Sequence, residues 1–81
     1  MIEVGNGPSR PMTLEERIER DFTYHPPKGD QPERYVKIRD KAKELALVLA
    51  ANCPQSREFS LALTKLDEVV MHANSAIARN E

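Results

Sequence analysis

Apolar residues recur along the second half of the chain with the period of an α-helix. They fall at Tyr35, Ile38, Ala42, Leu45 and Leu49, and again at Phe59, Leu63, Leu66, Val70, Ala73 and Ile77. Steps alternating between three and four residues place each set along one helical stripe. Leu47 and Val48 widen the first stripe, and Leu61, Ala62, Val69 and Ala76 widen the second. Asp30 or Gln31 is placed to cap the first helix. Pro32 sits in its opening turn, where a missing N–H costs nothing, and Glu33 lies near the positive end of the dipole. The helix should stop near Ala51 or Asn52, because Pro54 pushes Cys53 out of the α region, and Pro54 or Ser56 then opens the second helix. Two long helices joined by so short a turn run antiparallel.

Upstream, Thr13-Leu14-Glu15-Glu16 has the form of a capping box, and Leu14, Ile18 and Phe22 mark one apolar edge, so a helix of about two turns is expected there. The segment from Phe22 to Asp30 contains Pro26, Pro27 and Gly29 and reads as a loop. Residues 1–12 carry Gly5, Gly7, Pro8 and Pro11 among polar residues and read as a flexible tail, which leaves 13–81 as one domain. The expected class is all-α: an antiparallel helical hairpin preceded by a short N-terminal helix. An 81-residue chain built this way has little to bury its apolar stripes against, so assembly into a homo-oligomeric helical bundle is expected.

Charge removes several functions from consideration. The net charge is -1 with 31% charged residues, which provides no basic field for a DNA or RNA polymer. No run reaches the ~18 apolar residues of a membrane span and the first residues lack the pattern of a secretory signal, so a cytoplasmic protein is expected. Cys53 is the single cysteine, and His25, Cys53 and His72 have no metal-ligand spacing. Nothing around Cys53 supplies a base, and no phosphate-cradling loop or nucleophile motif is present. The expectation is a protein that is not an enzyme, takes no metal or cofactor, and acts by binding.

One polar constellation invites a ligand. Lys28, Arg34, Lys37, Arg39, Lys41 and Lys43 follow Phe22, Tyr24 and His25. Arg39 and Lys43 are one helical turn apart, as are Lys37 and Lys41, so each pair suits a compact anion, and Tyr24 suits a stacked base. The same cations also suit a solvated face paired with Glu33, Asp40 and Glu44. A second set, Arg57, Ser60 and Thr64, lies in the first turns of the last helix, where an anion is favoured or where capping and solvation suffice.

The segments Tyr24-His25-Pro26-Pro27, Gln31-Pro32-Glu33-Arg34-Tyr35 and Ile38-Arg39-Asp40-Lys41-Ala42 resemble, in order and spacing, a family of small phage proteins. So do the stretch Ser56 to Leu66, SREFSLALTKL, and the closing Met71 to Arg79, MHANSAIAR. These are the phage anti-CBASS cyclic-oligonucleotide sponges, whose helical hairpin also occurs in a class of anti-Thoeris sponges. The resemblance implies a hexamer in the host bacterial cytoplasm that sequesters cyclic messengers such as cyclic GMP-AMP or cyclic tri-AMP without cleaving them. It further implies that Tyr24, with His25 and Pro26, covers a base of a cyclic dinucleotide, while Arg39 with Lys43 or Lys41 meets its phosphates. Arg57, Ser60 and Thr64 are by the same resemblance the residues for a cyclic trinucleotide.

Two other classes compete with a sponge. A helical module docking on a host protein would show an exposed apolar groove. A phosphodiesterase would need a metal centre or a histidine acid–base pair, which two isolated histidines do not provide.

Overall fold

The computed structural model describes residues 11–81, and the tail expected over 1–12 lies outside the described residues apart from Pro11 and Met12. Three helices follow one another, α1 (Leu14–Phe22), α2 (Gln31–Asn52) and α3 (Arg57–Asn80), and the described residues contain no strand. Local chemistry sets each boundary. Thr13 Oγ1 accepts from Glu16 N at 3.1 Å while Glu16 Oε1 accepts from Thr13 N at 2.9 Å, closing the capping box. At α3, Ser56 takes the capping role and its Oγ accepts from Phe59 N at 3.1 Å. At the end of α2, Cys53 N donates to the Leu49 carbonyl at 2.9 Å and Asn52 Nδ2 to the Val48 carbonyl at 2.7 Å, so orphan carbonyls are satisfied before Pro54 turns the chain.

The start of α2 is built differently from the simple cap. Asp30 holds the cap position but makes no side-chain cap bond. Gln31 closes the turn instead: its N donates to the Lys28 carbonyl at 3.0 Å and its Oε1 accepts from Lys28 N at 3.2 Å. Gly29 makes that turn possible with φ of 58°, a left-handed conformation that a side chain disfavours.

The hairpin of α2 and α3 carries the architecture. Its half-buried seam is Tyr35, Ile38, Ala42, Ala46 and Leu49 on α2 against Phe59, Ala62, Leu66, Val70, Ala73 and Ile77 on α3. Ala46 and Ala62 take places that the periodicity gives to Leu45 and Leu63, which stand 47% and 37% exposed. An α-helix rotates steadily off a strict 3.5-residue repeat, and two alanines let the backbones approach where two leucines would hold them apart.

What the hairpin lacks is a core. Among the described residues no hydrophobic side chain is buried, and the one buried residue is Gln31, at 3% exposure. Val48, Leu47 and Val69 on the long helices are more than half exposed, as are Leu14 and Phe22 on α1. The radius of gyration is 16.1 Å, against about 11–12 Å for a compact chain of this length. The α1 helix is held by charge more than by packing: Arg79 Nη1 lies 3.6 Å from the Asp21 carboxylate, and Arg20 Nη1 donates to Asn80 Oδ1 at 3.3 Å.

Candidate ligand-binding cleft

The two ends of the hairpin domain are pinned around the loop that carries Tyr24. On one side the carboxylate of Glu81 takes both terminal nitrogens of Arg34, with Arg34 Nη1 donating to Oε2 at 2.9 Å, and Gln31 Nε2 donates to Oε1 at 3.2 Å. Arg34 Nε also lies 3.3 Å from Asp30 Oδ1 but is not aligned for a hydrogen bond. The Arg34 bond, then the Gln31 bond, hold the Glu81 carboxyl below its usual range, and Glu81 in return raises Arg34. On the other side the Asp21 carboxyl is lowered first by its hydrogen bond from Arg20 at 3.0 Å and then by the charges of Arg79, Arg20 and Arg17. His25 Nε2 lies 2.6 Å from the Arg20 carbonyl, a contact in which the ring nitrogen donates.

Between these two ties the loop and the hairpin border an open cleft of about 390 Å³, a size suited to a small ligand. Tyr24 and His25 form its loop wall, Tyr35 comes from α2, and Asn74, Ser75 and Ala78 from α3. Tyr24 is 80% exposed, so its ring is free to stack on what enters. Pro26 lies beside this cleft rather than in it, lining a pocket of about 150 Å³ with Lys28 and Gln31.

Helix geometry divides the cations. At about 100° per residue, Arg39 and Lys43 lie about 40° apart around α2, whereas Lys41 lies about 160° from either. A second groove, of about 410 Å³, joins Lys37, Lys41 and Leu45 of α2 to Val69 of α3 on one flank of the seam. Asn74 and Ala78 stand on the other flank of α3, the side to which Arg39 and Lys43 turn on α2, although neither cation lines the cleft. Arg39 thus lies one turn beyond Tyr35, on the Tyr24 side, and Lys43 one turn further. Lys41 belongs to the opposite groove and pairs with Glu44 at 3.1 Å.

Arg57, Ser60 and Thr64 are exposed and follow one another on the same flank of α3, near the hairpin turn. The helix rise puts Thr64 about 15 Å and Arg57 about 25 Å from Asn74 along α3, so within one chain they form a separate locus.

Tyr35, Asn74, Ser75, Asp21 and Arg79 of the cleft were not singled out by sequence as site residues. Tyr35 reads as a stripe residue. Asn74 carries a signal that can be read in hindsight, since it is a polar residue beside the apolar line between Val70 and Ala78.

Compared with known proteins, the chain matches the family model described as the Acb2/Tad1 hairpin domain over residues 14–78, nearly the whole described region. No curated protein and no solved structure matches it.

Proposed function

This chain belongs to the Acb2/Tad1 hairpin domain family, the anti-CBASS and anti-Thoeris sponges, and from that premise we propose that it sequesters bacterial cyclic di- and trinucleotide messengers without cleaving them. In this reading it is a phage protein of the host bacterial cytoplasm that silences immune signalling by lowering the free messenger. The observation that carries the proposal is the cleft lined by Tyr24, His25 and Tyr35; Arg39 and Lys43 do not line it but follow Tyr35 at successive turns along one side of α2. A cyclic dinucleotide needs an aromatic face for its base and cations for its two phosphates. Stacking of a base on an aromatic side chain is worth ~1–3 kcal/mol, and charge-assisted bonds from Arg to phosphate add geometric selection.

Assembly belongs to the same proposal. A chain with no buried hydrophobic side chain among its described residues gains by covering its exposed leucines and valines, at about 25 cal/mol per Å². Copies of the chain, six in this reading, cover one another's apolar flanks and roof the open clefts. Arg57, Ser60 and Thr64 from several copies then converge on a cyclic trinucleotide such as cyclic tri-AMP.

The apolar groove beside Ile38, Leu45 and Val69 favours a second reading, a module that docks on a host protein. One experiment separates the two. The purified chain is titrated calorimetrically with a panel of cyclic di- and trinucleotides including cyclic GMP-AMP and cyclic tri-AMP, then boiled and the supernatant chromatographed. Tight binding with intact recovery is expected. A silent panel overturns the sponge, and linear products in the supernatant overturn sequestration.

A further inference from the structure

Among the described residues, Asn74 is the one side chain lining the cleft with a solvent-shut polar atom that has no hydrogen-bond partner. That atom is Oδ1, and the residue is half-buried on α3, opposite the Tyr24 loop. Three other polar side chains of the cleft are engaged: His25 with the Arg20 carbonyl, Thr23 Oγ1 with Glu19 at 3.0 Å, and Asp21 with Arg20 and Arg79. An acceptor left unmatched in a half-dry site disfavours the empty state and rewards a ligand that brings a donor.

We infer that Asn74 reads the edge of the base that stacks on Tyr24, and that it selects adenine. This rests on the sponge reading above. A side-chain amide presents one acceptor beside one donor. Adenine presents the complement, the N6 amino group beside N7, so that Asn74 Oδ1 accepts from N6 while Nδ2 donates to N7. In the single chain Oδ1 is turned away from solvent, and the broad last torsion of asparagine lets the amide rotate so that Oδ1 meets the base plane when a ligand enters. Guanine shows two acceptors, O6 and N7, along the same edge and leaves Oδ1 unmatched. Tyr24 supplies a face that any base fits, so selection between bases falls to the amide.

The test compares 3′,3′-cyclic GMP-AMP with the same ring in which purine replaces adenine, lacking only the 6-amino group. The full chain is titrated with both, as wild type and as Asn74→Ala. Wild type is expected to bind the amino-bearing ring at least about tenfold more tightly, and Asn74→Ala to lose that difference while keeping the assembly state of wild type. Equal affinities in wild type overturn the inference without any variant. A preference that persists in Asn74→Ala overturns it too, assigning the reading to another group. In both cases the sponge reading stands. Binding of neither ring, nor of any member of the wider panel, overturns the sponge reading and this inference with it.

Discussion

Lys41 and Lys43, separated by one residue, serve opposite flanks of the hairpin. Lys41 rims the apolar groove and pairs with Glu44, while Lys43 shares the side of Arg39 and the Tyr24 cleft. The closely spaced cations of α2 are therefore divided between two flanks. If the anion lies over the cleft, Arg39→Ala and Lys43→Ala should each lower cyclic dinucleotide affinity about tenfold or more, since bonds to charged groups are worth ~1.5–3 kcal/mol. Lys41→Ala should stay within about twofold of wild type, the range of an exposed helix ion pair. Calorimetry on the three variants decides it, and a loss confined to Lys41→Ala would place the phosphates on the wrong side.

Tyr24 allows a test of stacking that does not touch the fold. At 80% exposure its ring supports nothing in the single chain, so Tyr24→Ala should leave the helical circular dichroism unchanged. Dinucleotide affinity should fall at least about tenfold in Tyr24→Ala and recover to within about threefold in Tyr24→Phe, because the aromatic face and not the hydroxyl meets the base. Equal losses in both variants would show that the hydroxyl, not the face, is used.

Much of this was legible in the residues themselves, and the limits of legibility are physical. Thr13 with Glu16, Ser56, and Pro54 after Asn52 act within one turn of chain, so their caps and stops follow from local chemistry. The line of contact does not. Whether Leu45 or Ala46 faces α3 depends on how closely the partner helix approaches, and the periodicity of one helix holds no information on that. Tyr24 and Arg39 were readable as residue types suited to a base and a phosphate. Asn74 was not, because its meaning depends on a loop that the fold brings opposite it.

The carboxylate ties predict a loss of stability in acid. Hydrogen bonds from Arg34 and Gln31 hold Glu81 below its ordinary value of 4.5, and Arg20 with the neighbouring arginine charges holds Asp21 below 3.8. A depressed carboxyl binds its proton more readily in the unfolded chain, so its contribution is whole above the ordinary value and is lost as pH falls through the depressed one. Thermal stability should therefore be flat with respect to these groups from pH 7 to about pH 5 and should decline below about pH 4. Glu81→Gln should flatten part of that decline, which thermal melts across the acid range will show.

Gln31 links three parts of the site at once. Its amide takes Lys28 N from the loop and reaches Glu81 beyond the end of α3, and it is the one buried residue among those described. Gln31→Leu keeps the volume and removes both bonds, leaving the Lys28 N–H without its partner and Glu81 Oε1 with Arg34 alone, at a cost of about 1–3 kcal/mol. Melting should fall by about 4 °C or more, with hydrogen exchange rising first at Lys28 and in the final turn of α3. A stability loss without faster exchange at Lys28 would mean that the loop is held by something else.

Val69 separates the needs of one chain from those of an assembly. In the single chain it is 60% exposed and lines the apolar groove with Ile38, Leu45 and Leu66. An aspartate at so open a position costs an isolated hairpin little, within about 0.5 kcal/mol for an ordinary surface site. If a second copy covers the groove, the same aspartate becomes a buried charge without a partner, which costs several kcal/mol and breaks the interface. Val69→Asp should then shift the sedimentation coefficient from oligomer toward monomer, while Val69→Leu should not. Leu66→Asp, set in the seam itself, should disrupt both hairpin and assembly. An oligomer that survives Val69→Asp at full size would leave the groove open to solvent in the assembly and return it to the reading in which a host protein docks there.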